Sequence, residues 1–116
     1  MTRRLYLVLA GLIILLGFVH VAATFSLFDA LNARAVWFAS GGIAIVATGL
    51  LNLLNRAYGH TAPGVRWAAI GTNAVMTLFA ALAGVAGAAS NAQLIVIVGL
   101  LAGTTFVSIL PSKVSG

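Results

Sequence analysis

One histidine, His20, stands inside a long uncharged stretch of the chain, in the sequence GFVHVAATF from Gly17 to Phe25. An imidazole ring can carry a proton, bind haem iron, or hydrogen-bond a polar ligand such as a quinone. Gly17 and Thr24 lie three residues before and four residues after His20, so all three share one face of a helix. Because ionisable groups are costly in hydrocarbon, we expect this face to point into the protein interior.

Two interpretations of His20 stay open. In the first, the neutral ring is a packing residue that hydrogen-bonds Ser40 or a backbone carbonyl. In the second, the ring contacts a small ligand (a lipid, quinone or metabolite) or carries a proton, and Thr24 and Ser40 lie beside it. Small residues predicted at similar depth on the other segments permit either close helix packing or space for a flat ligand. These small residues are Ser40, Gly41, Gly42, Gly84, Gly87 and Gly99.

A second group of polar residues lies towards the other ends of the apolar segments. Thr48 and Asn52 are four residues apart, as are Asn73 and Thr77, so each pair shares a helical face. If the two segments are antiparallel neighbours, Asn52 and Asn73 come to similar depth. Hydrogen bonds between such side chains hold membrane helices together, with about 0.6 to 2 kcal/mol each. Helix packing is the favoured interpretation, and a polar ligand site that includes Asn52 and Asn73 is the alternative.

The composition indicates that these polar residues lie on membrane-spanning helices. Of 116 residues, 62% are hydrophobic and only 6% are charged, whereas a soluble domain is about half apolar and a quarter charged. Runs of about 20 apolar residues are long enough to cross a bilayer as helices. The uncharged runs cover residues 5–28, 35–54, 67–89 and 94–110. We therefore predict an all-α polytopic membrane protein, a bundle of four transmembrane helices in one domain over residues 1–116, with the lipid bilayer as its surroundings.

The charged residues indicate how the chain is threaded. With four spans, all the cations but Arg34 fall on one side, and the single acid, Asp29, lies near Arg34 on the other. Because cations near span ends favour the cytoplasm, both termini are predicted to be cytoplasmic. Asp29 is expected to cap a short turn or to pair with Arg34. The net charge of +5 comes from scattered cations without a basic stripe, so no nucleic-acid partner is predicted. The cations predicted on the cytoplasmic side are Arg3, Arg4, Arg56, Arg66 and Lys113.

Aromatic residues are expected at the two membrane boundaries. The inner boundary would carry Tyr6, Tyr58 and Trp67, and the outer one Phe28, Trp37 and Phe38. The segment TRRLYL also resembles a twin-arginine export signal, with VAA at residues 21–23 as a cleavage site. The apolar run is too long for a signal peptide and no soluble domain follows it, so a retained first helix is predicted.

The sequence lacks the parts of a recognisable active site. It has no cysteine, no carboxylate within any span, and no phosphate-binding or metalloprotease motif. No catalytic residue, metal ligand or cofactor is therefore predicted, and any enzymatic activity would rest on His20 or a partner. Haem bound by two histidines of one chain would need His60, which is predicted on the opposite side. Two copies of His20 across a homodimer could share one haem iron, whereas a site with one histidine has no supporting motif.

Small residues predict how the helices pack. Gly99 and Gly103 form a G-x-x-x-G pattern, and Ala80, Gly84 and Ala88 repeat the same spacing. Such patterns allow helices to approach closely, either within one chain or between chains. The glycines predicted to pack helices are Gly17, Gly41, Gly42, Gly84, Gly99 and Gly103.

The layout of an arginine-led first span, a glycine-rich bundle and short loops resembles small bacterial four-helix membrane proteins, among them the DoxX-like group. This resemblance implies a multi-pass protein of the bacterial inner membrane. The leading functional hypothesis is a non-enzymatic accessory or scaffolding subunit that self-associates or joins a larger membrane complex. The first alternative is a binder or transporter of a small molecule on the His20 face, and the second is a haem-bearing redox protein.

Overall fold

A computed structural model describes residues 2–87 and 90–110, and these residues form an all-α structure. Short connections join consecutive helices, so each helix is antiparallel to the next. Each helix is long and apolar enough to cross a membrane, and the predicted all-α fold with four helices is confirmed. The helices are α1 (Thr2–Leu27), α2 (Ala33–Tyr58), α3 (Pro63–Val85) and α4 (Asn91–Ile109).

The helices extend beyond the uncharged runs at the charged end of the bundle. α1 already begins at Thr2, α2 continues past Leu54 to Tyr58, and α3 begins at Pro63. Arginine is a good helix former and proline is tolerated in the first turn, so neither ends these helices. The connection between α2 and α3 is consequently shorter than the interval over residues 55–66 that separates the second and third uncharged runs. Ala88 and Ala89 of the predicted third span, and Lys113, lie outside the described residues.

Side-chain caps begin two of the helices. The Asn32 side-chain oxygen accepts a hydrogen bond of 3.0 Å from the Ala35 N–H at the start of α2. At the start of α4, Ser90 and Gln93 each bond the other's backbone N–H in a capping box. Asn32 therefore supplies the cap of α2, and Asp29, which was expected to cap a short turn or to pair with Arg34, is exposed.

α1 and α2 pack against each other along most of their length. The buried residues of α1 recur at intervals of three and four, and those of α2 follow the same spacing, which is typical of coiled-coil-like packing. In α1 these residues include Tyr6, Ala10, Ile13 and Gly17. In α2 they include Gly42, Ile45, Gly49 and Asn52.

Glycines allow the α1 and α2 backbones to touch. A Cβ atom on Gly17 would lie 2.8 Å from the carbonyl oxygen of Gly42 and 2.7 Å from the backbone nitrogen of Val46. A Cβ atom on Gly42 would lie 2.9 Å from the carbonyl oxygen of Gly17. These neighbours are backbone atoms, so no change of rotamer could make room for a side chain.

The other glycines predicted to pack helices have different surroundings. A Cβ atom on Gly41 would lie 3.5 Å from Nε2 of His20, an ordinary contact, and one on Gly84 would meet the flexible side chain of Leu94. At Gly99 and Gly103, no atom outside their own helical turns lies within 4 Å of such a Cβ atom in the described part of the chain. The G-x-x-x-G pattern of α4 is therefore not used between the described helices.

We predict that Gly17→Ala separates α1 from α2, whereas Gly11→Ala leaves them packed. Both residues lie on α1, but a Cβ atom on Gly11 meets nothing within 4 Å. The gain in helix propensity is similar at both positions, so the difference between the variants measures the packing cost, which we expect to be about 1 to 3 kcal/mol. Unfolding in detergent micelles by added SDS provides the measurement. Equal stability of the two variants would contradict the backbone contact.

Candidate functional site

The interior of the bundle contains a pair of asparagines from neighbouring helices. Asn52 on α2 donates a hydrogen bond of 2.7 Å to the side-chain oxygen of Asn73 on α3, and Asn73 donates one of 2.7 Å in return. Both residues are fully buried. The structure therefore brings these two predicted site residues together, as a reciprocal amide pair.

A tyrosine from α1 extends this pair to a third helix. The Tyr6 hydroxyl donates to the side-chain oxygen of Asn52 and accepts a hydrogen bond of 2.8 Å from the Asn55 amide. The second N–H of the Asn52 amide donates to the Thr48 carbonyl at 2.8 Å. Both donors and both acceptor positions of Asn52 are thus occupied by protein groups.

Tyr6, which was expected at the inner membrane boundary, faces the interior of the bundle. Its side chain is buried and only 7% exposed. The physical reason is that Tyr6 lies on the same face of α1 as Ala10 and Ile13, and its hydroxyl finds partners there. The spacing of Tyr6 from these two apolar residues was the signal in the sequence that could have predicted its burial. Trp37, Tyr58 and Trp67, by contrast, are exposed.

The chemical capacity of this polar layer is limited. Throughout residues 2–87 and 90–110, every buried side-chain nitrogen and oxygen has a hydrogen-bond partner. Amides and a hydrogen-bonded phenol provide no group that is ready to act as a nucleophile or general base. The layer suits the joining of three helices better than the binding of a polar substrate, which would have to break these hydrogen bonds.

His20 lies in a separate place, where its ring stacks on Phe38 of α2. The two ring centroids are 4.0 Å apart and the planes differ by 13°. The Thr24 hydroxyl is 3.4 Å from the backbone oxygen of His20, and the Ser40 hydroxyl donates to the Trp37 carbonyl at 2.6 Å. Each hydroxyl therefore contacts a backbone carbonyl of its own helix, and neither forms a hydrogen bond with the imidazole.

A cleft between α1 and α4 opens beside His20. Its volume is about 360 Å³, and most of the side chains that line it are apolar. The imidazole of His20 and the amide of Gln93 are its polar groups, and Phe38 forms part of the wall. Phe38 and Gln93 were not predicted as site residues, because only the register between helices brings them to His20. The lining includes Leu16, His20, Phe38, Gln93, Val96 and Ile97.

The two predicted groups of site residues do not meet. His20 is fourteen residues beyond Tyr6 on α1, which corresponds to roughly 21 Å along the helix. His60 lies in the connection between α2 and α3, at the end of the bundle remote from His20. Among the described residues, no group of three or more histidine, cysteine or acidic side chains could hold a metal ion.

No protein-family model, curated protein or solved structure matches this chain.

We predict that the Asn52 and Asn73 side chains are energetically coupled. Asn52→Ala and Asn73→Ala should each lower stability, and the double variant should lose less than the sum of the two, by about 0.6 to 2 kcal/mol, since either change already breaks the pair. Asn91→Ala, at an exposed position of α4, is the matched control and should have little effect. The measurement is SDS-induced unfolding in micelles, and additive losses would rule out the coupling.

Proposed function

We propose that the chain is an integral membrane protein of the bacterial inner membrane that crosses the bilayer four times. α1 and α2 have 26 residues each and would span about 39 Å, enough for a hydrocarbon core of about 30 Å. Large apolar side chains such as Phe18, Val75 and Phe79 are more than 60% exposed on the outside of the bundle. Lipid chains would cover this surface. Soluble monomeric proteins rarely expose so large an apolar surface to water.

The proposed orientation places both termini in the cytoplasm. Arg3 and Arg56 bond each other's backbone carbonyl at one end of the bundle, and Arg66 bonds the Ile109 carbonyl there. Arg34 lies at the start of α2, at the other end. This distribution supports the threading, because cations near span ends are retained on the cytoplasmic side.

Within the membrane, we propose a non-enzymatic accessory or scaffolding role, through self-association or attachment to a larger membrane complex. The observation that carries this role is the outward face of α4, formed by Gly99, Ala102 and Gly103. Gly99 and Ala102 are exposed, and the glycine spacing permits close approach of another helix. The interior supports the same role, because its polar side chains are occupied with holding the bundle together.

We expect Gly99→Ile to dissociate the assembly, because the added side chain would hold a second helix away from α4. Gly71→Ile on α3 is the matched control, since Gly71 also lies in open space. Each protein is gently extracted from its membrane and measured by native mass spectrometry. The wild type and the control should have the mass of several copies, or of this chain together with a larger one. Gly99→Ile should have the mass of a single chain. A wild-type monomer would exclude the accessory role. Recovery of the protein in the soluble fraction would instead exclude the membrane placement.

The cleft beside His20 favours a second candidate function, the binding of a flat apolar molecule that carries a polar group. Binding pockets of this kind are mostly apolar with a few placed polar groups, and His20 with Gln93 meets that description. The stack on Phe38 leaves the imidazole at the wall of the cleft. A quinone carbonyl hydrogen-bonded to the His20 ring is the type of contact that this geometry allows.

Menadione, a small naphthoquinone, provides a test through the fluorescence of Trp37. Trp67→Phe first removes the other tryptophan, since the chain has two. Menadione should then quench Trp37 saturably, and His20→Ala should weaken binding about tenfold, which corresponds to the loss of one hydrogen bond to a polar ligand. Ser40→Ala should bind as before, because its hydroxyl faces its own helix. Linear, unsaturated quenching that is equal in all variants would mean only that menadione dissolves in the micelle.

A further inference from the structure

Three arginines from three different helices line one cleft at the proposed cytoplasmic end of the bundle. Arg3 belongs to α1, Arg56 to α2 and Arg66 to α3, and Ser108 of α4 closes the fourth side. We call the space between these four residues the arginine cleft. The neighbouring Arg4 differs from the three, because it is exposed and is not part of the lining.

Hydrogen bonds to the backbone fix the three guanidinium groups. Arg56 Nε donates to the Arg3 carbonyl at 2.9 Å, and Arg3 donates to the Arg56 carbonyl at 3.3 Å. Arg66 donates to the Ile109 carbonyl at 3.0 Å. A guanidinium group has five N–H donors, so each arginine keeps donors for another acceptor.

The positive charge of the arginine cleft is not neutralised by acidic side chains. Among the described residues, the hydrogen-bond partners of the three arginines are neutral carbonyl groups, which orient the guanidinium groups without cancelling their charge. The single acidic side chain of the sequence, Asp29, lies in the connection between α1 and α2, at the opposite end of the bundle. Like charges that converge in this way favour the binding of an anion.

We propose that the arginine cleft binds one phosphate group. Arginine presents its donors in a planar fork that matches phosphate oxygens, and the first turn of α1, with Thr2 and Arg3 in the lining, adds the positive end of a helix dipole. The cleft is small, about 40 Å³ in volume, which favours a single compact anionic group over a larger ligand. Tyr6 and Asn55 also line the cleft, and the Tyr6 hydroxyl connects it to the polar layer through Asn52.

The phosphate group can come from a phospholipid headgroup or from free phosphate in the cytoplasm. A headgroup at this position fits a basic pocket between helices on the cytoplasmic side of a membrane. The lipid source depends on the proposed membrane placement, whereas binding of free phosphate does not. The two sources are therefore tested separately.

The lipid source is tested by native mass spectrometry of the delipidated protein with equal amounts of phosphatidylglycerol and phosphatidylcholine. Both lipids carry a phosphate group, but the quaternary ammonium of choline adds a positive charge that three arginines would repel. The wild type should therefore retain one phosphatidylglycerol in preference to phosphatidylcholine. Arg56→Gln and Arg66→Gln should each bind it roughly five- to tenfold more weakly, and Arg4→Gln, with the same loss of charge at the same end, should bind it as the wild type does. Circular dichroism and gel filtration establish that each variant is folded, and Arg66→Gln remains informative if Arg56→Gln is not.

Free phosphate is tested in neutral detergent micelles without lipid. Saturable binding of inorganic phosphate at millimolar concentration, weakened by Arg66→Gln and not by Arg4→Gln, would support the site with a soluble source. The proposal is overturned if phosphatidylglycerol and phosphatidylcholine bind equally and inorganic phosphate does not bind. It is also overturned if Arg4→Gln weakens binding as much as Arg66→Gln, because the cations would then act only as a diffuse charge.

Discussion

The close approach of α1 and α2 is the constraint on which the other features of the bundle depend. Gly17 and Gly42 touch through backbone atoms, and Gly49 meets the Ala10 carbonyl, so the two helices are fixed in one register. The contacts repeat every seven residues on both helices, which is the interval of coiled-coil-like packing. The facing pairs are Arg3 with Arg56, Ala10 with Gly49, and Gly17 with Gly42.

This register also determines what lies between the contacts. Tyr6, one turn beyond Arg3, meets Asn52, and His20, one turn beyond Gly17, meets Phe38. The arginine cleft, the polar layer and the His20 stack are therefore three levels of one helix–helix interface. A slip of one residue would turn Tyr6 away from Asn52 and leave buried amide groups without partners, which is costly in an apolar interior. The polar layer thus selects the register that the glycines permit.

Local patterns in the sequence were sufficient for some of these features. The apolar runs predict four helices, and the positions of Asn52 and Asn73 on consecutive antiparallel helices place them at the same depth. The burial of Tyr6 and the contact of His20 with Phe38 depend instead on the rotation of α1 against α2. Gln93 reaches the cleft, and Arg66 the Ile109 carbonyl, only through the position of α4. The rotation and position of one helix relative to another leave no periodic signal in a single sequence. The same residues on a helix are compatible with several rotations of that helix about its own axis.

The arrangement of the three levels bears on the choice between binding and transport. In the described bundle, α1 touches α2 at Gly17 and Gly42, and nearer the arginine cleft the bonded layer of Tyr6, Asn52 and Asn73 connects three helices. A solute that crossed along the bundle axis would have to break hydrogen bonds in an apolar interior, where each lost partner costs about 1 to 3 kcal/mol. The cleft at His20 and the arginine cleft, by contrast, both open on the outside of the bundle. A ligand can therefore reach either end without passing through the interior, so this geometry favours binding at the surface of the bundle over transport through it.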